Sequence, residues 1–397
     1  MKKDILISVY NMEIGGIERS LINMLESFDY ERFNIDLLVL HHTGEFFKLI
    51  PDKVNILPEI SSYSVFRKPI RQSIKEGHYF SSIIRILSKI TANLKSKSRM
   101  LKEGSGYIQM QLTMKYSQIT LPKLKKKYDI AISYAWPHDI VINKVDANKK
   151  IAWIHTDYNT LEIDNKLDLK MWRNFDHIAA VSEECLNSFL SQYPSLKDRA
   201  LIIENITSPQ FIRKMANETE INSQNQKTFN ILSVGRLSYA KGFDLAVYAL
   251  RLLHNKGYTN LKWSIVGYGG YESELKELIN ENNLEDHFIL LGKQTNPYPY
   301  IKSCDLYVQP SRYEGKAVTV GEAQILAKPV LITNYPTAKS QISNHLDGLI
   351  CELSVEGIAD GIEKLYMDKE LRIHLSRYCQ GIDYHNDWEL NKLYQLV

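Results

Sequence analysis

Cysteine is scarce in this chain of 397 residues, which holds four. Cys185, Cys304, Cys351 and Cys379 lie far apart, with neither the close pairs that ligate zinc nor the density of a disulfide scaffold, so they are expected as reduced core residues of a cytosolic protein. Long apolar runs are missing as well. The longest have the length of a strand and carry charges nearby, which excludes a helix that spans a bilayer. At the start, Met1-Lys2-Lys3 precedes an apolar run, but Asp4 interrupts it and no small-residue cleavage site follows. A first buried strand is therefore expected there rather than a signal peptide. The G-x-G-x-x-G pattern is also absent, which counts against a dinucleotide cofactor.

What is present describes a globular α/β protein. Hydrophobic residues make up 44% and charged residues 24%, which rules out a disordered chain. The length exceeds one ordinary core and suits two domains of Rossmann size. Short apolar runs alternate with helical periodicity from the outset: a strand that ends at Tyr10-Asn11-Met12-Glu13-Ile14, the turn Gly15-Gly16-Ile17-Glu18, a helix marked by Leu21, Ile22, Met24, Leu25 and Phe28, then a strand over 35–40. Further strands are read over 128–134, 150–157 and 175–182, with Ser182 placed to cap a helix starting at Glu183. From Thr207 to Thr228 the composition turns polar and reads as a surface linker. A second domain over 229–380 then begins with a strand ending at Gly235, and the final helix within 381–397 is expected to return to the first domain, 1–206.

Between Ser61 and Asp129 fifteen basic residues face three acidic ones, a local excess of +12 that leaves the remainder net acidic. Phe80, Ile83, Ile84, Ile86, Leu87, Ile90 and Leu94 are interleaved there at helical spacing. A basic amphipathic segment of this kind is expected to lie on an anionic membrane surface through the region 64–127. The alternative is a solvated basic face on helices whose apolar side joins the core. Nucleic acid is not expected as a partner, because aromatics are few in this region and no binding module appears.

The chemistry concentrates further on. Residues 304–310 read as a buried strand ending at Pro310; Ser311-Arg312-Tyr313-Glu314-Gly315-Lys316-Ala317-Val318 forms a loop; a short helix and a strand over 328–334 follow. In such a unit a ligand sits beyond the strand's C-terminal end, where helix N–H groups favour anions. Glu314 and Glu322 cannot hold phosphate there, but they can accept hydrogen bonds from sugar or ribose hydroxyls. A nucleotide-sugar combines both chemistries. Upstream, Arg236 and Lys241 flank the loop after Gly235 and suit a diphosphate, although taken by themselves they are more safely read as structural ion pairs.

The two glutamates seven residues apart, Gly235-Arg236-Leu237 with Lys241-Gly242, and the Gly15-Gly16-Ile17-Glu18 loop together resemble the family-four retaining glycosyltransferases, which have the GT-B fold: α/β, two Rossmann-like domains facing across a cleft. The likeness is densest from about Phe229 to Cys351. It implies that Arg236 and Lys241 bind the donor diphosphate, that Glu322 holds ribose, and that Glu314 and His155, at a strand's C-terminal end, orient the sugar. It places Gly15, Gly16, Gly267, Lys316, Ala317 and Val318 around the donor, with Glu18, Asp157 and Tyr158 towards the acceptor. Lys316 and Ala317 depart from the family's usual bulky apolar residue and glycine, and the Gly321-Glu322 step is unusual.

The implied activity is metal-independent retaining transfer of a hexose or N-acetylhexosamine, with no cofactor. The donor would be a nucleotide-sugar, UDP-linked, and the acceptor a lipid-linked saccharide in capsule or exopolysaccharide synthesis, at the inner membrane face. A nucleotide-sugar epimerase or a phosphorylase on the same architecture, or a non-catalytic nucleotide-sugar-binding subunit, are the alternatives. Oligomeric state is not readable.

Overall fold

The computed structural model describes residues 2–99, 105–221 and 228–396. It divides into two compact units, one of residues 1–206 with 386–397 and one of 207–385.

The first unit is built on seven strands: β1 (Lys3–Val9), β2 (Phe33–Val39), β3 (Asn55–Ile56), β4 (Lys127–Ser133), β5 (Asp146–Ile154), β6 (His177–Ala180) and β7 (Ala200–Ile202). They pair in parallel in the order β3-β2-β1-β4-β5-β6-β7. Ile5 lies opposite Ile35 on one side and Ile130 on the other. Residues 5–9 of β1 are all buried. This continuous burial, in place of an alternating pattern, is what a parallel sheet covered on both faces demands. Strand order reverses between β1 and β4, so the loops after these two strands diverge and leave a crevice at their C-terminal ends.

One carboxylate is buried in this sheet, at a cost that its partners offset. Asp36 of β2 is buried, which works against its charge. Hydrogen bonds from Asn55 (2.7 Å), Tyr128 (2.8 Å) and Lys126 (3.1 Å) outweigh the burial and hold its carboxyl below the ordinary range. Residues 386–396 complete this unit. In the helix Glu389–Tyr394, the Tyr394 ring stacks on Phe33 with centroids 4.7 Å apart, and its hydroxyl accepts from the Asp29 amide. Residues 381–385, expected with the same helix, cluster with the second unit.

The second unit carries β8 (Phe229–Val234), β9 (Leu261–Val266), β10 (Phe288–Gly292), β11 (Leu306–Gln309), β12 (Val330–Thr333) and β13 (Leu349–Cys351). The order β10-β9-β8-β11-β12-β13 again reverses next to its first strand, between β8 and β11. Trp263, Phe243, Leu250 and Phe288 fill its core. The buried indole of Trp263 donates to Ser233 Oγ at 2.9 Å, so the ring's one polar atom is satisfied.

The polar stretch expected as a linker is partly folded. Ser208 accepts from the Phe211 amide and Pro209 opens the helix Pro209–Met215, which buries Ile212 and Met215. Apolar burial thus ties it to the second unit, against the reading from composition. Residues 222–227 of that stretch lie outside the described residues.

The basic excess of the first unit is also partly internal. Arg85 is buried and donates to the Val65 carbonyl and Ser73. Lys126 bridges Asp36 and Asp4, Lys68 pairs with Glu76, Lys95 pairs with Asp164, and Arg67 lies over the rings of Tyr10 and Trp136. With Lys115 over the Tyr116 ring, at least six of the fifteen cations are engaged within the protein, and Lys102 lies outside the described residues. Among the described residues no helix is long and apolar enough to cross a membrane.

Candidate active site

In the second unit the expected residues gather at the strand-order reversal. After β8 the chain runs through Gly235, Arg236 and Leu237 to a short 3-10 turn, Tyr239–Lys241, and then Gly242 in the left-handed region (φ 65°). A side chain on Gly242 would collide with the Pro310 carbonyl beyond β11. Glycine therefore lets the two loops touch, and this contact brings Lys241 to Glu314. Gly267, after β9, lies as closely on the Gly235 carbonyl, and Gly269 on that of Leu237. Gly267 thus packs one loop against its neighbour.

Glu314 is the best-supported side chain in the group. Its Oε1 accepts from Lys241 Nζ (2.5 Å), Ser311 Oγ (2.6 Å) and Gln309 Nε2 (3.1 Å), and its backbone carbonyl accepts from Thr337. All three side-chain donors act on Oε1, and among the described residues no hydrogen bond uses Oε2, which keeps its capacity to accept. Gln309 is fully buried at the end of β11. Its amide donates to Ser311 and Glu314 while its oxygen accepts from Tyr307 and Thr319.

A second support lies beside it. Arg312 grips Asp244 with two parallel bonds (2.7 and 2.6 Å), covers the Tyr239 ring at 3.9 Å and donates to the Tyr239 carbonyl. It ties the Glu314 loop to the loop and helix start that carry Lys241. Neither Gln309 nor the Arg312–Asp244 pair stood out in the sequence. The signal that could have found Arg312 is its place two residues before Glu314.

Glu322 lies inside the helix Val318–Ile325, 1% exposed, and Tyr298 donates to its Oε1 at 2.9 Å. Arg236 is exposed just past β8, and among the described residues no ion-pair partner reaches it. Ala317 is the residue before that helix, Val318 its first, and Lys316 precedes both.

The helix starts at these loops share one property. Ala317, Gly242 and Gly15 precede their helices without a side chain that caps them, whereas Ser182, Ser354 and Asp368 cap helices elsewhere. First-turn N–H groups are thus left for an outside acceptor at the C-terminal ends of β8 and β11, and the helix dipole favours an anion there.

In the first unit, Gly15 and Gly16 open the helix Gly16–Glu26, and the Glu18 carboxylate folds back over Gly15, where a side chain would strike it. Glu18 therefore occupies the position of a capping glutamate. His155 lies just past β5. Its Nε2 donates to the Tyr134 carbonyl at 2.9 Å, so Nδ1 is the acceptor, and burial pushes its pKa down to about 4. The imidazole is neutral at pH 7. Asp157 accepts from the Asn159 amide and caps a local turn. Tyr158 is buried among Trp172, Phe189 and Tyr193, with its hydroxyl accepting from the Trp172 indole. Asp157 thus serves a local turn, while Tyr158 also lines the cavity beside His155.

A cavity of about 500 Å³ lies beside His155, lined by Tyr107, Met110, Trp136, His138, Asp139 and Trp153 among others. Burial pushes Asp139 up to about 6 and His138 down to about 3. This concave, aromatic-lined surface went unread because its walls come from segments far apart in the chain. Among the described residues no group of His, Cys, Asp or Glu is placed to hold a metal ion.

Known proteins resemble this chain in sequence and in fold. Residues 215–381 match the family Glycosyl transferases group 1. The N-acetylgalactosamine-N,N'-diacetylbacillosaminyl-diphospho-undecaprenol 4-alpha-N-acetylgalactosaminyltransferase of Campylobacter jejuni is 33% identical over 144 residues, 36% of this chain and 38% of that protein. The capsular polysaccharide biosynthesis glycosyltransferase CapM of Staphylococcus aureus is 30% identical over 149 residues, again 36% and 38%. Among solved structures, S. aureus TarM in complex with UDP has a TM-score of 0.69 at 15% identity, covering 99% of both chains. The fold is thus the α/β fold of GT-B glycosyltransferases, with two Rossmann-like domains.

Proposed function

We propose, from the premise that residues 215–381 form a group 1 glycosyl transferase domain, that this protein is a retaining, metal-independent glycosyltransferase. It moves a hexose or N-acetylhexosamine from a UDP-linked donor to a lipid-linked saccharide. The observation that carries the reading is the Lys241–Glu314 contact between two loops at uncapped helix starts. It sets a cation for a diphosphate directly beside a fixed acid for sugar hydroxyls.

In the proposed reaction the bond from the sugar's anomeric carbon to the leaving phosphate oxygen breaks. Arg236, Lys241 and the free helix N–H groups stabilise the negative charge that develops on the diphosphate, an electrostatic effect that asks for no metal or cofactor. An acceptor hydroxyl attacks on the face the diphosphate leaves, its proton passing to the departing phosphate oxygen, so configuration is retained. Glu314 accepts from the sugar's hydroxyls through Oε2. His155, in the first unit, is neutral and offers Nδ1 as an acceptor for a sugar hydroxyl. Glu322 and the Lys316–Val318 segment complete the donor side, and the Campylobacter relative's diphospho-undecaprenol substrate supports a lipid-linked acceptor at the inner membrane face.

The test is release of free nucleoside diphosphate from a panel of UDP- and GDP-sugars by the purified protein, with and without membranes. Release from a UDP-sugar that rises on addition of membranes, with the anomeric configuration kept in the product by NMR, is the expected result. Binding of nucleotide-sugars without turnover under any of these conditions would instead identify a binding subunit, and recovery of an epimerised donor would identify the epimerase reading.

A further inference from the structure

The helix Tyr79–Arg99 is turned inside out. Its inward side presents Ser81, Ser82, Ile84, Arg85, Ser88, Ala92 and Ser96, all buried and mostly polar, and the Ser88 hydroxyl has no hydrogen-bond partner among the described residues. Its outward side presents Tyr79, Phe80, Ile83, Leu87, Ile90 and Leu94, from 54% exposed at Ile90 to 66% at Leu94. At about 3.6 residues per turn these six fall along one side of the cylinder. A surface helix of a soluble protein shows the opposite arrangement, and a contiguous apolar stripe left in water marks a contact surface.

We propose that this stripe inserts into the headgroup and acyl boundary of an anionic bilayer, with the helix axis lying in the membrane plane. The choice of occupant follows from charge. Arg71, Lys75, Lys89 and Lys97, on this helix and the one before it, are exposed, and no described carboxylate pairs with them. Two copies stacked through this face would bring like charges together, whereas anionic lipid complements them. The inward serines explain the polarity: the helix takes little support from the core, with Ala92 packing on Ile108 and Leu112 in a small satellite cluster. Binding is thus chiefly apolar, and the basic residues attract rather than anchor. This deepens the reading of a membrane-surface enzyme and rests on it only for the place of the acceptor.

The experiment is co-sedimentation of the full chain with vesicles of phosphatidylglycerol and phosphatidylethanolamine, at low salt and at about 0.5 M NaCl, where surface charges are screened. Wild-type protein is expected to pellet under both conditions. The triple variant Ile83→Ser, Leu87→Ser, Ile90→Ser is expected to lose at least about tenfold in partitioning at either salt, since each serine removes apolar area that the lipid would cover. Lys89→Gln with Lys97→Gln is expected to lose about fivefold per residue at low salt only. The altered side chains point outward, so melting temperature and donor turnover without membranes stay unchanged. Failure here therefore leaves the donor chemistry standing. Equal binding by the triple variant would overturn the proposal. So would a wild-type dimer in solution that the triple variant converts to monomer.

Discussion

At the scale of single residues, the donor side depends on how Lys241 and Glu314 are held. Lys241→Ala is expected to lower kcat/KM for the donor by roughly 10²–10³, the effect of removing one charge-stabilising group, with the melting temperature nearly unchanged. Steady-state kinetics beside a thermal melt checks both halves. Arg312 touches no proposed substrate atom and acts through Asp244 and the Tyr239 backbone. Arg312→Ala should raise the donor KM more than it lowers kcat, and Arg312→Lys should restore little, because lysine has no planar fork for the two Asp244 oxygens. Glu322 behaves differently. Removal of its side chain strands the buried Tyr298 hydroxyl, so Glu322→Ala is expected to cost roughly 1–3 kcal/mol of stability besides activity.

Lys241 and Arg236 were legible in the sequence because a strand pattern ending in glycine fixes where the next side chains emerge. Arg312 and Asp244 were not legible as a pair, since 68 positions separate them and each alone resembles any surface charge. The burial of Glu322 was hidden for a related reason. What covers it is Tyr298, from a helix whose approach no local pattern announces.

At the scale of elements, loop contacts built on glycine are the sensitive points. Gly242→Ala combines a left-handed backbone with a collision against the Pro310 carbonyl, and should lower stability by roughly 1–3 kcal/mol while displacing Lys241. Loss of activity at a temperature where the variant is still folded by circular dichroism is the measurement. Ser182→Ala provides the contrast. It removes the cap bonded to the Cys185 amide at 3.2 Å and should cost about 1 kcal/mol without a change in turnover. Periodicity revealed the helix at Tyr79–Arg99 as two-sided. It did not reveal how completely the apolar side faces out, because small serines fit an interior as well as a surface. Composition likewise misread 207–221, where a few apolar residues, Ile212 and Met215, outweigh their polar neighbours once a core is there to receive them.

At the scale of the whole molecule, pH acts through the first unit. His138 and His155 are neutral when folded, pushed by burial to about 3 and about 4, whereas an unfolded histidine titrates near 6.5. Below about pH 7 the unfolded chain binds more protons, so stability falls as the pH drops towards the folded values. Asp139, pushed up to about 6, takes up a proton in the folded state as the pH falls through that value and partly opposes this, but from about pH 7 to 6 the two histidines outweigh it. The melting temperature should fall across that span, and less in His138→Gln. The parallel two-sheet architecture was legible at this scale because continuous apolar strands alternating with helices leave few other solutions.

The first unit closes on a segment that arrives late. Its strands are complete in sequence by Ile202, yet the helix that covers Phe33 and accepts from the Glu204 amide begins at Glu389. A ribosome must release the entire second unit before that helix can dock, so the nascent first unit waits with an aromatic patch uncovered. It is during this interval that a chaperone would find it.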